Sequence, residues 1–142
     1  MKIVTWNVNS INVRLPNVLQ YLSEYQPDVL CLQELKCAEE KYPLDPIKLA
    51  GYQSIHACQK TYNGVSIISK DLPKEIEINP VAINSEEMRS ISATFNGIRI
   101  INFYVVNGQS IGSDKYSHKL KWLKEAHTYI DSQLKKFKKV LV

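Results

Sequence analysis

The most constraining feature of this chain lies near its start, where a strand-like segment, a helical period and a second apolar run follow one another closely. Residues 2–8, Lys-Ile-Val-Thr-Trp-Asn-Val, are rich in β-branched and aromatic types and read as a strand. Leu15, Val18, Leu19 and Leu22 then recur at helical spacing, with Pro16 tolerated in a first turn and Pro27 closing the helix. Val29-Leu30-Cys31-Leu32 follows, a short continuous apolar run of the kind shown by parallel strands buried on both faces. Strand, helix and strand in so short a span make a βαβ unit, which commits the chain to an α/β fold.

The remainder fills out that class. Residues 37–50 carry Pro43 and Pro46 and predict a loop with a broken helix. Tyr52–Ala57 and Val65–Ser69 read as strands joined by a turn at Tyr62-Asn63-Gly64, and two more strands are expected at Glu75–Val81 and Ser90–Phe95. Asn96-Gly97 is a hairpin signal leading into Ile98–Val106. Leu120, Leu123, His127, Ile130, Leu134 and Phe137 trace one face of a helix and are its expected core stripe, His127 included. Lys119, Lys121, Lys124, Lys135 and Lys136 lie on its other face, expected to be solvated. Val140-Leu141-Val142 opens another buried strand and leads us to expect an interrupted unit.

Composition removes several function classes. The 142 residues are 44% apolar and 23% charged, an ordinary globular mixture long enough for one domain with a real core. No apolar run approaches the ~20 residues that span a bilayer, and no secretory signal opens the chain, so a cytoplasmic location is the expectation. The formal charge of +4 permits a nucleic-acid partner without arguing for one. Of the cysteines, Cys31 reads as a core residue, and no pair has the C-x-x-C spacing of a zinc site.

In a parallel βαβ unit the C-terminal ends of both strands lie side by side, where open α/β sheets place their ligands. Asn7 ends the first strand and Glu34 the second, giving an amide oxygen and a carboxylate suited to Mg²⁺ or Mn²⁺. Glu34 could equally cap a helix or pair with Lys36, and on spacing alone that ordinary role is the commoner one. Tyr104, near the end of its strand, could reach the same rim or simply be a half-buried tyrosine with a satisfied hydroxyl. Asn107-Gly108-Gln109-Ser110 could offer donors to a phosphate or form a plain turn.

Together these segments resemble exonuclease III-type AP endonucleases, of the endonuclease/exonuclease/phosphatase superfamily, over their N-terminal half. The resemblance rests on Thr5-Trp6-Asn7-Val8-Asn9, on Leu32-Gln33-Glu34-Leu35-Lys36, on Gln59–Ser69 and on Asn107–Tyr116, in that order along the chain. It implies half of a four-layer α/β sandwich, with mixed sheet flanked by helices and each half supplying much of one sheet. It also implies Mg²⁺- or Mn²⁺-dependent hydrolysis of phosphodiesters in duplex DNA, at an abasic site or a 3′ end. Asn7 and Glu34 would hold the metal, Tyr104 would orient the scissile phosphate, and Arg89 and Asn107 would approach the DNA backbone or its phosphate. Val106 stands where the family usually has proline. The family's later Gly-Asp-x-Asn and Asp-His motifs do not occur in these residues, so 1–142 reads as an incomplete domain, inactive alone. An apolar sheet face left open would promote self-association or the binding of a complementing C-terminal chain. A non-catalytic DNA- or protein-binding remnant and one half of a split nuclease are the alternatives.

Overall fold

The computed structural model describes residues 1–142. The opening βαβ unit forms as the residue pattern requires. β1 (Ile3–Asn7) pairs in parallel with β2 (Val29–Gln33), and α1 (Ile11–Tyr25) crosses between them. The helix starts four residues ahead of Leu15, which puts Pro16 in its second turn, exposed, rather than in its first. α1 buries Ile11, Val18 and Leu22 and ends at Gln26, which adopts a left-handed conformation just before Pro27.

A 3-10 turn at Glu39–Lys41 and the short α2 (Leu44–Leu49) fill the expected broken stretch. β3 (Gln53–Ala57) and β4 (Val65–Ser69) pair antiparallel and complete one sheet in the order β1-β2-β4-β3. β5 (Lys74–Ile78), β6 (Ser90–Phe95), β7 (Ile98–Phe103) and the two-residue β8 (Val140–Leu141) make a second sheet in that order. The β6–β7 hairpin turns on Asn96 and Gly97, with φ of 50° and 77°, the left-handed pair that this turn needs. β7 stops at Phe103, three residues before the expected end, so Tyr104 sits just past the strand.

Strand alternation divides the buried side chains into layers. Leu30, Leu32 and Ile68 face α1 and α2, whereas Val29, Cys31, Val65 and Ile67 face the second sheet and meet Ile91, Ala93, Phe95 and Ile100 there. On the far side of the second sheet, α3 (Asp114–Lys136) packs Trp122 and Ala126 against Phe103, Val81 and Val106. All four layers of an α/β sandwich, helix–sheet–sheet–helix, are therefore present, and these residues build part of both sheets rather than one. What stays open is an edge, not a face. β1 and β8 each pair on one side only, and between them lies a cleft of about 390 Å³ lined by Ile3, Thr5, Gln33, Ile101 and Leu141 among others.

α3 is rotated from the expected orientation. Leu120, Leu123, His127 and Leu134 are exposed, and His127 pairs loosely with Asp131 instead of entering the core. Its buried residues are Trp122, Ala126 and Gln133, with Tyr129 half-buried: Trp122 meets Phe103, and further along the helix faces Ser92 and the fully buried Arg99, which project from the sheet. A guanidinium without water needs partners for its donors. Arg99 donates to Gln133 Oε1 at 2.8 Å, to Ser92 Oγ at 2.8 Å, to Tyr129 OH at 3.1 Å, to the Glu75 carbonyl and to Glu77. Arg99→Ala is expected to lower the unfolding free energy by about 3 kcal/mol, since it orphans several buried acceptors at once. Urea unfolding followed by circular dichroism checks this.

Candidate active site

The rim at the ends of β1 and β2 is fixed by main-chain bonds from two directions. Val8 N–H donates to the Gln33 carbonyl at 3.0 Å, Ser10 to Glu34 at 2.8 Å and Ile11 to Leu35 at 3.0 Å. Amides that the first turn of α1 would otherwise leave unpaired thus hold the loop after β2. From the other side, Leu35 N–H donates to the Gly64 carbonyl at 3.2 Å and Lys36 N–H to Asn63 at 3.0 Å. Within this frame Glu34 and Lys36 sit at φ of 59° and 51°, a left-handed region that costs a side-chain-bearing residue about 1 kcal/mol or more. Gly64, at φ 88°, lies so close that a Cβ there would fall 2.8 Å from the Leu35 Cβ.

The Glu34 carboxylate is the hub. Its Oε1 accepts from Asn7 Nδ2 at 2.8 Å and from the Tyr104 hydroxyl at 2.8 Å, while Lys36 Nζ stands 3.0 Å from Oε2. Lys36 also donates to Asn9 Oδ1 at 2.6 Å, and Asn7 Oδ1 accepts from Asn9 N–H at 3.1 Å. The amide of Asn7, followed by Tyr104 and Lys36, holds the Glu34 carboxyl below the usual carboxylate range against a smaller opposing effect of burial. Burial, and then the facing carboxylate, push the Tyr104 phenol up, so it stays a proton donor at neutral pH. Sequence reasoning left open whether Glu34 pairs with Lys36 or joins Asn7, and the geometry does both.

Arg89 sits behind Tyr104, with its guanidinium carbon 5.0 Å from the ring centroid. Its main-chain carbonyl accepts from Tyr104 N–H at 2.8 Å, and its Nε donates to Glu87, which also meets His118 at 3.2 Å. Asn107 stands apart from this cluster. It is exposed, and its Oδ1 accepts from Gln109 N–H at 3.0 Å, an Asx turn that shapes its own loop. Glu87 and His118 escaped the sequence reading because nothing local marks them. Gln33 and Asn102 escaped it too. Gln33 Nε2 donates to Asn102 Oδ1 at 2.7 Å, and Asn102 Nδ2 reaches the carbonyls of Leu32 and Ser66, each at 2.9 Å, between the two sheets.

The donor set fits a hard cation. Glu34 is ionised, its Oε2 carries only the Lys36 ammonium, and Asn7 Oδ1 carries a single hydrogen bond. Two protein oxygens leave the other positions around a Mg²⁺-like ion for water and phosphate oxygens.

Comparison with known proteins decides the family. The model of the Endonuclease/Exonuclease/phosphatase family matches residues 4–136. The chain belongs to this family. Exodeoxyribonuclease III of Haemophilus influenzae is 28% identical over 148 residues, which take in all of this chain and 55% of that protein. Among solved structures, the 3′ phosphatase NExo from Neisseria, bound to a product DNA hairpin, superposes with a TM-score of 0.95 at 39% identity, covering 99% of this chain and 55% of that one. An AP endonuclease from Archaeoglobus fulgidus superposes at 0.88 and 39% identity, over 93% of this chain and 51% of the other. These 142 residues thus span about half the length of each of these three relatives.

Two substitutions test the geometry. Asn7→Ala removes the largest stabiliser of the Glu34 carboxylate, so its pKa should rise toward the ordinary value in a ¹³C-detected NMR titration. The sign for stability follows: what Glu34 contributes is full above its unfolded-state pKa and is lost as pH falls through its lower folded value, and Asn7→Ala shrinks that contribution. Gly64→Ala should cost about 1–3 kcal/mol in a thermal melt, because the new methyl meets Leu35 and the left-handed φ is strained.

Proposed function

We propose that these residues are the metal-holding and phosphate-orienting corner of a DNA phosphodiesterase of the exodeoxyribonuclease III and AP endonuclease kind. The observation that carries the reading is the convergence of Asn7, Tyr104 and Lys36 on one ionised carboxylate, Glu34, where two parallel strands end. The relatives' names support DNA as the substrate, and a Neisseria relative holds a DNA hairpin product.

Glu34 and Asn7 hold a divalent cation, Mg²⁺ or Mn²⁺, through hard oxygens. When bound, such an ion polarises the phosphoryl oxygen and offsets the charge that builds on it. Tyr104 keeps Glu34 oriented and presents a neutral hydroxyl to a phosphate oxygen. Arg89, paired with Glu87, stiffens the Tyr104 ring from behind and so helps to set the phosphate-facing hydroxyl, and Asn107 offers its amide to the DNA backbone from the neighbouring loop. The substrate is duplex DNA at an abasic site or a 3′ end, in base excision repair, in a cytoplasmic setting. The groups that activate water come from outside these 142 residues. They dock along the cleft between β1 and β8, where both sheets have an open edge.

A labelled duplex with one abasic site tests this. The 142-residue chain is assayed alone and mixed with the remaining half of an exonuclease III-type domain, in Mg²⁺ or EDTA. Alone, it should incise no faster than its Glu34→Gln variant. The mixture should incise only with metal, and Glu34→Gln should slow it at least about 100-fold. Incision that ignores both EDTA and Glu34→Gln overturns the assignment, as does salt-sensitive, metal-independent DNA binding with no incision in the mixture.

A further inference from the structure

Four side chains that the Glu34 corner does not use come together on the other side of its loop. Cys37 Sγ and Cys58 Sγ are 3.8 Å apart. His56 Nε2 lies 2.8 Å from Glu39 Oε1, and the ligand atoms of Glu39, His56 and Cys58 all fall within 4.8 Å of one another. The imidazole stacks on Tyr42, with centroids 3.9 Å apart and planes 17° from parallel, and its Nδ1 is buried with no hydrogen-bond partner. We propose that Cys37, Cys58, His56 and Glu39 form a binding site for a thiophilic dication such as Zn²⁺, separate from the catalytic corner.

Geometry and donor chemistry both support this. Two thiolates about 2.3 Å from a tetrahedral zinc stand about 3.8 Å apart, which is the spacing found here. Sulfur, imidazole and carboxylate together select a borderline-soft cation, whereas Asn7 and Glu34 offer only hard oxygens. His56 Nε2 and Glu39 Oε1 already face each other at 2.8 Å with Cys58 Sγ beside them, so an ion seated among the three replaces the proton they share. Glu39, with 69% of its side chain exposed, leaves an entry path. Cys31 differs: burial alone pushes its thiol up to about 12 and leaves it inert. The bound ion would clip the loop after Lys36 to the end of β3, joining residues that no short cysteine spacing announces.

The test titrates the reduced, metal-free chain with Co²⁺ and then displaces it with Zn²⁺. With excess Mg²⁺ present to occupy the Glu34 corner, one equivalent of Co²⁺ should bind with tetrahedral d–d bands and a thiolate charge-transfer band, and Zn²⁺ should bleach both. Cys37→Ser or Cys58→Ser should remove the charge-transfer band and weaken binding at least about 100-fold. Glu39→Gln, at an exposed position that leaves folding intact, should weaken it about 10-fold. Cys31→Ala and Glu34→Gln should leave it unchanged, and Zn²⁺ should raise the Tm of the parent chain but not of Cys37→Ser. Absence of stoichiometric uptake overturns the proposal, as does uptake indifferent to both cysteine variants or lost in Glu34→Gln.

Discussion

Gln33 and Asn102, both buried, meet at 2.7 Å in the space between the two sheets. A buried amide left without a partner costs on the order of 1–3 kcal/mol. Sliding one sheet over the other by a residue would break this bond and strip the Asn102 amide of the carbonyls of Leu32 and Ser66, leaving Gln33 only its own-sheet partners Thr5 and Cys31. The pair therefore sets the register between layers, which apolar contact alone leaves loose because hydrophobic attraction has no direction. The chain positions one and two beyond these amides are Glu34 and Tyr104. Their meeting at the rim, 70 residues apart in sequence, is a consequence of that lock.

Much of this was legible in the residues. The βαβ unit, the parallel pairing and the juxtaposition of Asn7 with Glu34 follow from short-range periodicity and from the rule that parallel strands end together. The Asn96-Gly97 hairpin was legible for the same local reason. The orientation of α3 was not. Its leucines at Leu120, Leu123 and Leu134 look like a core stripe only if the surface beneath is assumed apolar. The second sheet instead presents Arg99 and Ser92, so the helix turns Tyr129 and Gln133 toward it. Partner chemistry of that kind lies in another segment and leaves no trace in a helical wheel. Glu87, His118 and Asn102 were invisible for a related reason, since their roles exist only through long-range hydrogen bonds. The gathering of Cys37, His56 and Cys58 was hidden likewise, because β3 returns to the loop after Lys36 across a stretch with no regular spacing.

The left-handed conformations of Glu34 and Lys36 give the corner its charge arrangement. Residues two apart in an extended strand share a face but stand about 7 Å apart. The bent backbone draws the carboxylate of Glu34 and the ammonium of Lys36 together at the rim, 3.0 Å apart. The corner is thus close to neutral while keeping an ionised acid, and it presents a preset dipole rather than a bare charge.

The division of the chain into layers bears on the order of assembly during synthesis. Helix, sheet, sheet and second helix are all encoded within these residues, and the central apolar cluster joins β2 and β4 to β6 and β7. A nascent polypeptide that had emerged only this far could already dry its central interior, with β1 and β8 among the strand edges left open. In relatives about twice as long, later residues would then be added to a standing scaffold by edge pairing, instead of waiting to close a face.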